Sequence, residues 1–491
     1  MHITKIYGPP GTGKTTSLIS TLMNELQAGV EPTRIAYLTF SRSASQEAKS
    51  RILTQFAGVV KEQELTWFRT IHSACFKQLG LGRHQLLGES KQEDFVERTG
   101  YQLRSDHDYG ELFFLDDDYT ICLQAKALAA ATNRPLPEII KGMGEHEALD
   151  RIHGFLRAYT GYKREQGVYD FLDMLTEYID NPTPLPVDVV ILDEAQDLSK
   201  LQWSIFRHMI EDAERVYVAG DDDQSIYNFI GADPVSFNAF PADEVIILTQ
   251  SYRVPLNIGQ RADRIIQRVK NRQLKQVKWT DKPGHVTLGG TKLTSQNIQH
   301  NKDSLILCRH RAQVLQASAD LIHIPHSVDR SAISNSRLSR IFSTHMKLQQ
   351  GEKVSTKEAS SLMRYLNRKW SADKKKTEYA LEDLGLQASL PLWSPLVTSN
   401  QATRAIFGAL WNYWRKGYEL NVPPKVRIMT MHAAKGQEAE DVYIVPDCNI
   451  KVFENASSDV ERRLMYVALT RAKERCIIMT PSTQTFMKGF F

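Results

Sequence analysis

The sequence predicts an α/β protein with two parallel sheets flanked by helices, each sheet carrying a mainly helical insertion. Three observations predict it. A short apolar strand, ITKIY at residues 3–7, runs into a glycine-rich loop and then a helix-favouring stretch. Two groups of continuously apolar runs follow along the chain, and two polar, helix-leaning blocks interrupt them. A run that is apolar throughout, rather than at every second residue, marks a strand covered on both faces, and helical stretches between such strands mark a parallel sheet.

Taken in order, the first group continues with RIAYLTF at 34–40, VDVVIL at 187–192, RVYVA at 215–219 and EVIIL at 244–248. The second consists of SLILC at 304–308, VRIMTM at 426–431, VYIV at 442–445 and RCIIM at 475–479. Residues 80–165 and 312–423 hold no comparable run. The expected organisation is therefore a first core from 1–79 and 166–248 with its insertion at 80–165, and a second core from 249–311 and 424–491 with its insertion at 312–423. A chain of 491 residues is too long for one core, which agrees with this division.

Composition bounds the class. A hydrophobic content of 42% and a charged content of 24% are ordinary for a globular protein. The net charge of +4 permits a nucleic-acid partner without arguing for one. Cys75, Cys122, Cys308, Cys448 and Cys476 lie far apart without a C-x-x-C pair, the pattern of reduced, buried thiols rather than of a zinc site or a disulfide framework. No early apolar run resembles a signal peptide and no stretch of about 20 apolar residues is present. The expectation is a cytoplasmic protein with no membrane partner.

Residues 8–15 read GPPGTGKT and satisfy G-x-x-x-x-G-K-[ST] through Gly8, Gly13, Lys14 and Thr15. Glycines let backbone N–H groups wrap a phosphate chain, and the following helix turns its positive end to the same anion. Gly11, Thr12 and Thr16 belong to the same binding loop. Lys14 is placed for the β- and γ-phosphates and the Thr15 hydroxyl for Mg²⁺. After VDVVIL comes Asp193-Glu194, at the strand end that faces the ligand crevice of an α/β sheet. Asp193 suits Mg²⁺, and Glu194 suits orienting and deprotonating a water. After RVYVA, Gln224 in DDDQSIY suits sensing a γ-phosphate. Arg253 in SYR and Arg471 in a helical stretch at 461–475 are candidates to neutralise charge on a transferring phosphoryl group.

Together these segments resemble the ordered motif set of superfamily 1A helicases, the UvrD/Rep/PcrA family. In order they are GPPGTGKTT at 8–16, YLTFSRSASQEAKSRI at 37–52, FRTIHSACFKQL at 68–79, YDFLDML at 169–175, VVILDEAQD at 189–197 and VAGDDDQSIYNFIGAD at 218–233. LTQSYR at 248–253, VRIMTMHAAKGQEAEDVYIV at 426–445 and ERRLMYVALTRAKER at 461–475 complete the set. The resemblance implies two RecA-like P-loop domains that bind ATP and Mg²⁺ and translocate 3′→5′ along single-stranded DNA toward single-strand/double-strand junctions. It assigns Arg253 and Arg471 to the second domain as γ-phosphate arginines, Tyr252 to a stack on adenine and Glu438 to the ribose. It also implies that Phe40, Tyr227 and Phe229 stack on bases and that Arg42, His72 and His432 approach the DNA backbone.

Three departures from the family pattern accompany it. Only seven residues precede Gly8, where a glutamine-bearing segment is usual; Thr16 stands where arginine is common; and the family's W-R-G reads Phe229-Ile230-Gly231. The first two leave preference for ATP resting on fewer residues, and the third removes one cationic contact. Two alternatives stay open at this stage: a motor that strips proteins or drives a nuclease or repair partner without unwinding, and a nucleotide-switched binding module. Nothing in the residues reads a 2′-OH, so RNA is not separated from DNA.

Overall fold

Strands β1 (His2–Tyr7), β2 (Ile35–Thr39), β3 (Trp67–Thr70), β4 (Val189–Leu192), β5 (Arg215–Gly220) and β6 (Glu244–Ile247) form a sheet in the order β3-β2-β4-β5-β1-β6, with every neighbouring pair parallel. The coordinates are a computed structural model describing residues 1–101, 118–143, 149–328, 331–332, 337–366, 368, 370–373, 375–386, 401–418, 424–454 and 458–490. Successive residues of a strand go to opposite faces of this sheet. Val190 and Leu192 pack with Trp203, Phe206 and Phe237 on one side; Val189 and Ile191 pack with Leu18, Leu22 and Ile52 on the other. Both faces are thus dry, the reason these strands read as unbroken apolar runs.

β6 departs from that expectation. It is an edge strand, and Val245 is 54% exposed. β3, which the sequence reading does not count among the strands, closes the other edge; its short WFRT run switches from apolar to polar after two residues.

β7 (Gln250–Pro255) and β8 (Lys278–Thr280) pair in a two-stranded sheet. β9 (His285–Leu288), β10 (Ser304–Cys308), β11 (His326–Val328), β12 (Ser331–Ala332), β15 (Val426–Thr430), β16 (Ala439–Ile444) and β17 (Ala472–Ile478) form a seven-stranded sheet, β12-β11-β15-β10-β16-β17-β9, with β13 (Val354–Ser355) and β14 (Glu378–Tyr379) as a separate small pair. Only β11–β12 runs antiparallel in the larger sheet. β11 is built from His-Ser-Val and lies with β12 inside 312–423, so that block contributes two strands to the sheet as well as helices.

Two compact units result: Met1–Arg253 with Ile266–Thr280, and Val254–Ile265 with Asp281–Phe491. The sequence reading starts the second core at residue 249. The structure keeps Gln250 to Arg253 and 266–280 with the first, because Ser251 Oγ donates to Pro10 O at 2.8 Å, Tyr252 N donates to Gly11 O at 2.8 Å, and Lys275 is buried among first-unit carboxylates. In the first unit, helices Glu89–Thr99, Asp118–Thr132, Leu136–Met143 and Leu149–Gln166 pack around Phe95, Phe155 and Tyr159. In the second, helices Arg337–Gln349, Thr356–Tyr365 and Gln401–Arg415 gather around Phe342, Phe407 and Tyr413. All five cysteines are buried free thiols. No helix among the described residues is long and apolar enough to cross a membrane.

Candidate functional site

β4, β5 and β1 are consecutive in the first sheet, so the loops leaving their carboxyl ends share one crevice edge. After β1, the loop takes left-handed backbone at Gly11 (φ 74°) and Gly13 (φ 78°), and the helix Lys14–Gln27 starts directly from Gly13. A Cβ on Gly8 would lie 2.6 Å from Lys14 Cβ, and one on Gly11 would lie 2.7 Å from Arg253 Cβ. Both glycines therefore permit close approach: one lets the loop curl over Lys14, the other lets β7 brace it. Thr12 Oγ1 donates to Pro9 O at 2.8 Å and pins the turn from inside.

The acidic end of β4 meets this loop. Lys14 Nζ lies 2.8 Å from Glu194 Oε1 and 3.5 Å from Asp193 Oδ1. Burial works against the Lys14 charge, but Glu194 and Asp193 outweigh it and hold the ammonium above the usual lysine range. Burial, reinforced by Glu194, pushes the Asp193 carboxyl up despite Lys14. Asp193 is held from several sides: Thr15 Oγ1 and Tyr37 Oη each donate to Oδ2 at 3.2 Å, and Glu194 N donates to Oδ1 at 2.8 Å. Glu194 itself sits at φ 56°, a left-handed conformation costly for a residue with a Cβ and often found where function holds a side chain in place.

Beyond β5, Gln224 Nε2 donates to Asp221 Oδ2 at 2.7 Å. Sequence reading missed the residue that joins these two strand ends. Gln196 donates through Nε2 to Glu194 Oε2 at 2.5 Å and accepts the Asp221 N–H on Oε1 at 2.9 Å. It stands in the quoted DEAQD stretch, and its full burial is the signal that only packing reveals. Lys275 and Arg272, also missed, are the counter-ions of the Asp221–Asp223 turn.

The structure brings together the predicted nucleotide-loop residues with Asp193, Glu194, Gln224, Tyr252 and Arg253, all in the first unit. Arg253 was expected from the second core; it folds with the first because β7 lies against Gly11. Thr16 is exposed at the start of the helix and Tyr252 is 76% exposed, leaving its ring face accessible. Arg471, Glu438 and His432 belong to the second unit. The helix expected over 461–475 ends at Leu469, so Arg471 lies at the turn into β17. It is buried, donating from Nε to Val467 O at 2.9 Å and from Nη2 to Thr470 Oγ1 at 3.3 Å. Glu438 pairs with Lys473 Nζ at 2.5 Å.

The aromatic residues also converge. The rings of Phe40 and Tyr227 stack with centroids 5.6 Å apart, and Phe229 meets Tyr227 edge-on at 6.1 Å. Arg42 lies 6.0 Å over Phe171, whose ring His72 meets edge-on at 6.1 Å. Phe171, a residue of the YDFLDML stretch not singled out from sequence, is thus the common support of two predicted backbone contacts. Burial, with Arg42 beside it, pushes the His72 imidazole down to about 4, so it is a neutral hydrogen-bonding group near pH 7.

A phosphate loop, an acidic neighbouring strand end and a second, mostly parallel α/β unit define a two-core P-loop protein. The UvrD/REP helicase N-terminal domain matches residues 2–244 and the UvrD-like helicase C-terminal domain matches residues 338–483. The chain belongs to the UvrD/REP helicase family. It is similar to the ATP-dependent DNA helicase PcrA of Staphylococcus epidermidis, 25% identical over 308 residues that make up 57% of this chain and 40% of that protein. PcrA of Staphylococcus aureus is 24% identical over 304 residues, 56% of this chain and 39% of that one. YjcD of Bacillus subtilis is 25% identical over 301 residues, 56% and 38% of the two chains. The matched stretch spans about two fifths of the length of these relatives.

Proposed function

We propose that the chain is an ATP-driven 3′→5′ translocase and helicase on single-stranded DNA, acting at single-strand/double-strand junctions in replication, repair or recombination in the cytoplasm. The observation that carries it is the convergence of Lys14, Asp193 and Glu194 at one buried crevice edge, with the Phe40–Tyr227 stack on the same unit. Lys14 and the loop N–H groups bind the phosphates, and Glu194 takes the proton of the attacking water. Gln224 senses the γ-phosphate, Tyr252 stacks on the base, and Glu438 contacts the ribose. Arg253 and Arg471 neutralise charge on the transferring group.

The oxygen donors Thr15 Oγ1 and Asp193 Oδ2, 3.2 Å apart, fit a hard divalent cation. They would hold Mg²⁺, which supplies charge neutralisation for the phosphates when bound. DNA bases stack on Phe40, Tyr227 and Phe229, an interaction indifferent to sequence, while Arg42, His72 and His432 contact the backbone. The PcrA relatives are named as ATP-dependent DNA helicases, which supports the choice of ATP and DNA. Strand displacement from 3′-tailed and 5′-tailed duplexes tests the polarity: separation is expected from the 3′ tail alone, and separation from the 5′ tail alone would reject it. ATPase rates with single-stranded DNA and RNA test the substrate, with stimulation expected from DNA.

A further inference from the structure

We propose that Lys275 is a positioning residue for hydrolysis, holding Gln224 and Glu194 in place through Asp221. The inference rests on the hydrolytic reading above and adds a residue that lies outside every motif used for it. Asp221, Asp222 and Asp223 are all fully buried, and their carboxylate oxygens converge within 4.8 Å of one another. Three such groups resemble a cation site, but the place is taken by an ammonium of the chain itself. Lys275 Nζ lies 2.9 Å from Asp221 Oδ1 and 2.9 Å from Asp223 Oδ2 and also contacts Asp222 Oδ1. Arg272 forks onto Asp223 through Nε at 2.7 Å and Nη2 at 2.5 Å, and Gln273 N donates to Asp222 Oδ2 at 2.7 Å. Buried carboxylates stand only when paired, so this one short segment, helped by Asn238 Nδ2 donating to Asp222 Oδ2 at 3.2 Å, holds the shape of the turn.

The turn controls the candidate hydrolytic groups from its other side. Asp221 spends one oxygen on Lys275 and the other on Gln224 Nε2, 2.7 Å away, while its N–H reaches Gln196 Oε1 and through Gln196 the Glu194 carboxylate. Both the γ-phosphate sensor and the proton acceptor thus hang from a residue that Lys275 orients. Misplacing a reacting group by about 1 Å can cost roughly 100-fold in rate. The segment 266–280 also lies between chain stretches of the second unit, 254–265 and 281 onward, so the segment that anchors the turn is covalently continuous with both.

The test compares the full chain with its Lys275→Met, Gln196→Ala and Arg272→Gln variants. Binding sites are titrated with a fluorescent ATP analogue, and kcat and KM for ATP are measured with saturating single-stranded DNA. The expected result is full site occupancy, KM within about threefold of the parent, and kcat per binding site lowered about 10- to 100-fold for Lys275→Met. Gln196→Ala, which cuts the path to Glu194 but leaves the ion cluster, should lower kcat the same way. Unchanged kcat per binding site in Lys275→Met overturns the proposal. If that variant does not fold, unchanged kcat per site in both Gln196→Ala and Arg272→Gln overturns it instead. A parent chain that binds the analogue but turns over no ATP refutes the hydrolytic reading itself, a different result from a variant that matches an active parent.

Discussion

The carboxyl ends of the two sheets carry different side chains, mainly carboxylates in the first unit and an arginine with two histidines in the second. Beyond β4 and β5 in the first unit stand Asp193, Glu194 and Asp221 to Asp223, with Lys14, Arg272 and Lys275 as counter-ions. Beyond β10 and β15 in the second stand Arg309, His310 and His432, and Glu461 takes Arg309 in a forked pair at 2.7 and 3.1 Å. A parallel sheet delivers whatever follows its strands to one edge, irrespective of charge. What differs is how each edge is made tolerable. The first unit pairs its acids with cations brought from elsewhere in the chain. The second keeps its histidines neutral: burial, with Arg309 and His310 nearby, pushes His432 down to about 3. The same architecture can therefore present an ionic site or a largely neutral one, decided by counter-ions in the first unit and by burial in the second.

The sharpest way to probe this contrast is to remove the second unit's one proposed contribution to the chemistry. Arg471→Ala should lower kcat about 10³-fold, the scale on which an arginine neutralises a phosphoryl transition state. Activity within threefold of the parent, with a normal melting curve, would confine the chemistry to the first unit. Glu194→Gln is expected next, with kcat down about 10²-fold or more while ATP binding is kept, as equilibrium binding of a labelled nucleotide would report. Turnover close to the parent's would move the proton acceptor elsewhere.

Smaller effects test the surfaces around the two edges. Phe40→Ala or Tyr227→Ala should weaken single-stranded DNA binding by about 1–3 kcal/mol, roughly 5- to 150-fold, with the DNA-free ATPase rate unchanged. A fluorescence-anisotropy titration without a shift would remove the stack from the DNA path. Acidification should separate the units. His432 and His345 in the second are held at about 3 and about 4, chiefly by burial, whereas unfolded histidines take up protons near pH 6.5. Because the folded values are depressed, this stability is fully present above about pH 6.5. It is lost as pH falls toward about 4, by roughly 1.4 kcal/mol per pH unit for each histidine. The first unit has His72, held at about 4, to set against these two, so hydrogen exchange followed from pH 7 to 5 should show the second unit's core loosening first; equal loosening of both units would contradict that assignment.

Much of the architecture was legible because parallel strands buried on both faces have no polar positions to confuse them. SLILC matches β10 residue for residue, and VVIL is β4 in full. The strands that escaped notice lack that signature: β3 turns polar halfway, and β11 is His-Ser-Val, taking its place through pairing with β15. The site divided the same way. Gly8 to Thr15 and Asp193-Glu194 announce themselves because their chemistry depends on neighbours in sequence. Gln196, Arg272 and Lys275 do not, since a glutamine or a lysine acquires such a role only from what is folded against it.

By itself, then, the chain's order of residues determined two α/β cores, a phosphate loop and acids at a strand end, all properties of short-range spacing and polarity. Tertiary structure alone decided that Arg253 folds with the first unit, that a lysine fills the aspartate turn, and that His72 and His432 are neutral. Each depends on desolvation and on charges brought together from distant parts of the chain, and neither quantity exists until the chain has folded.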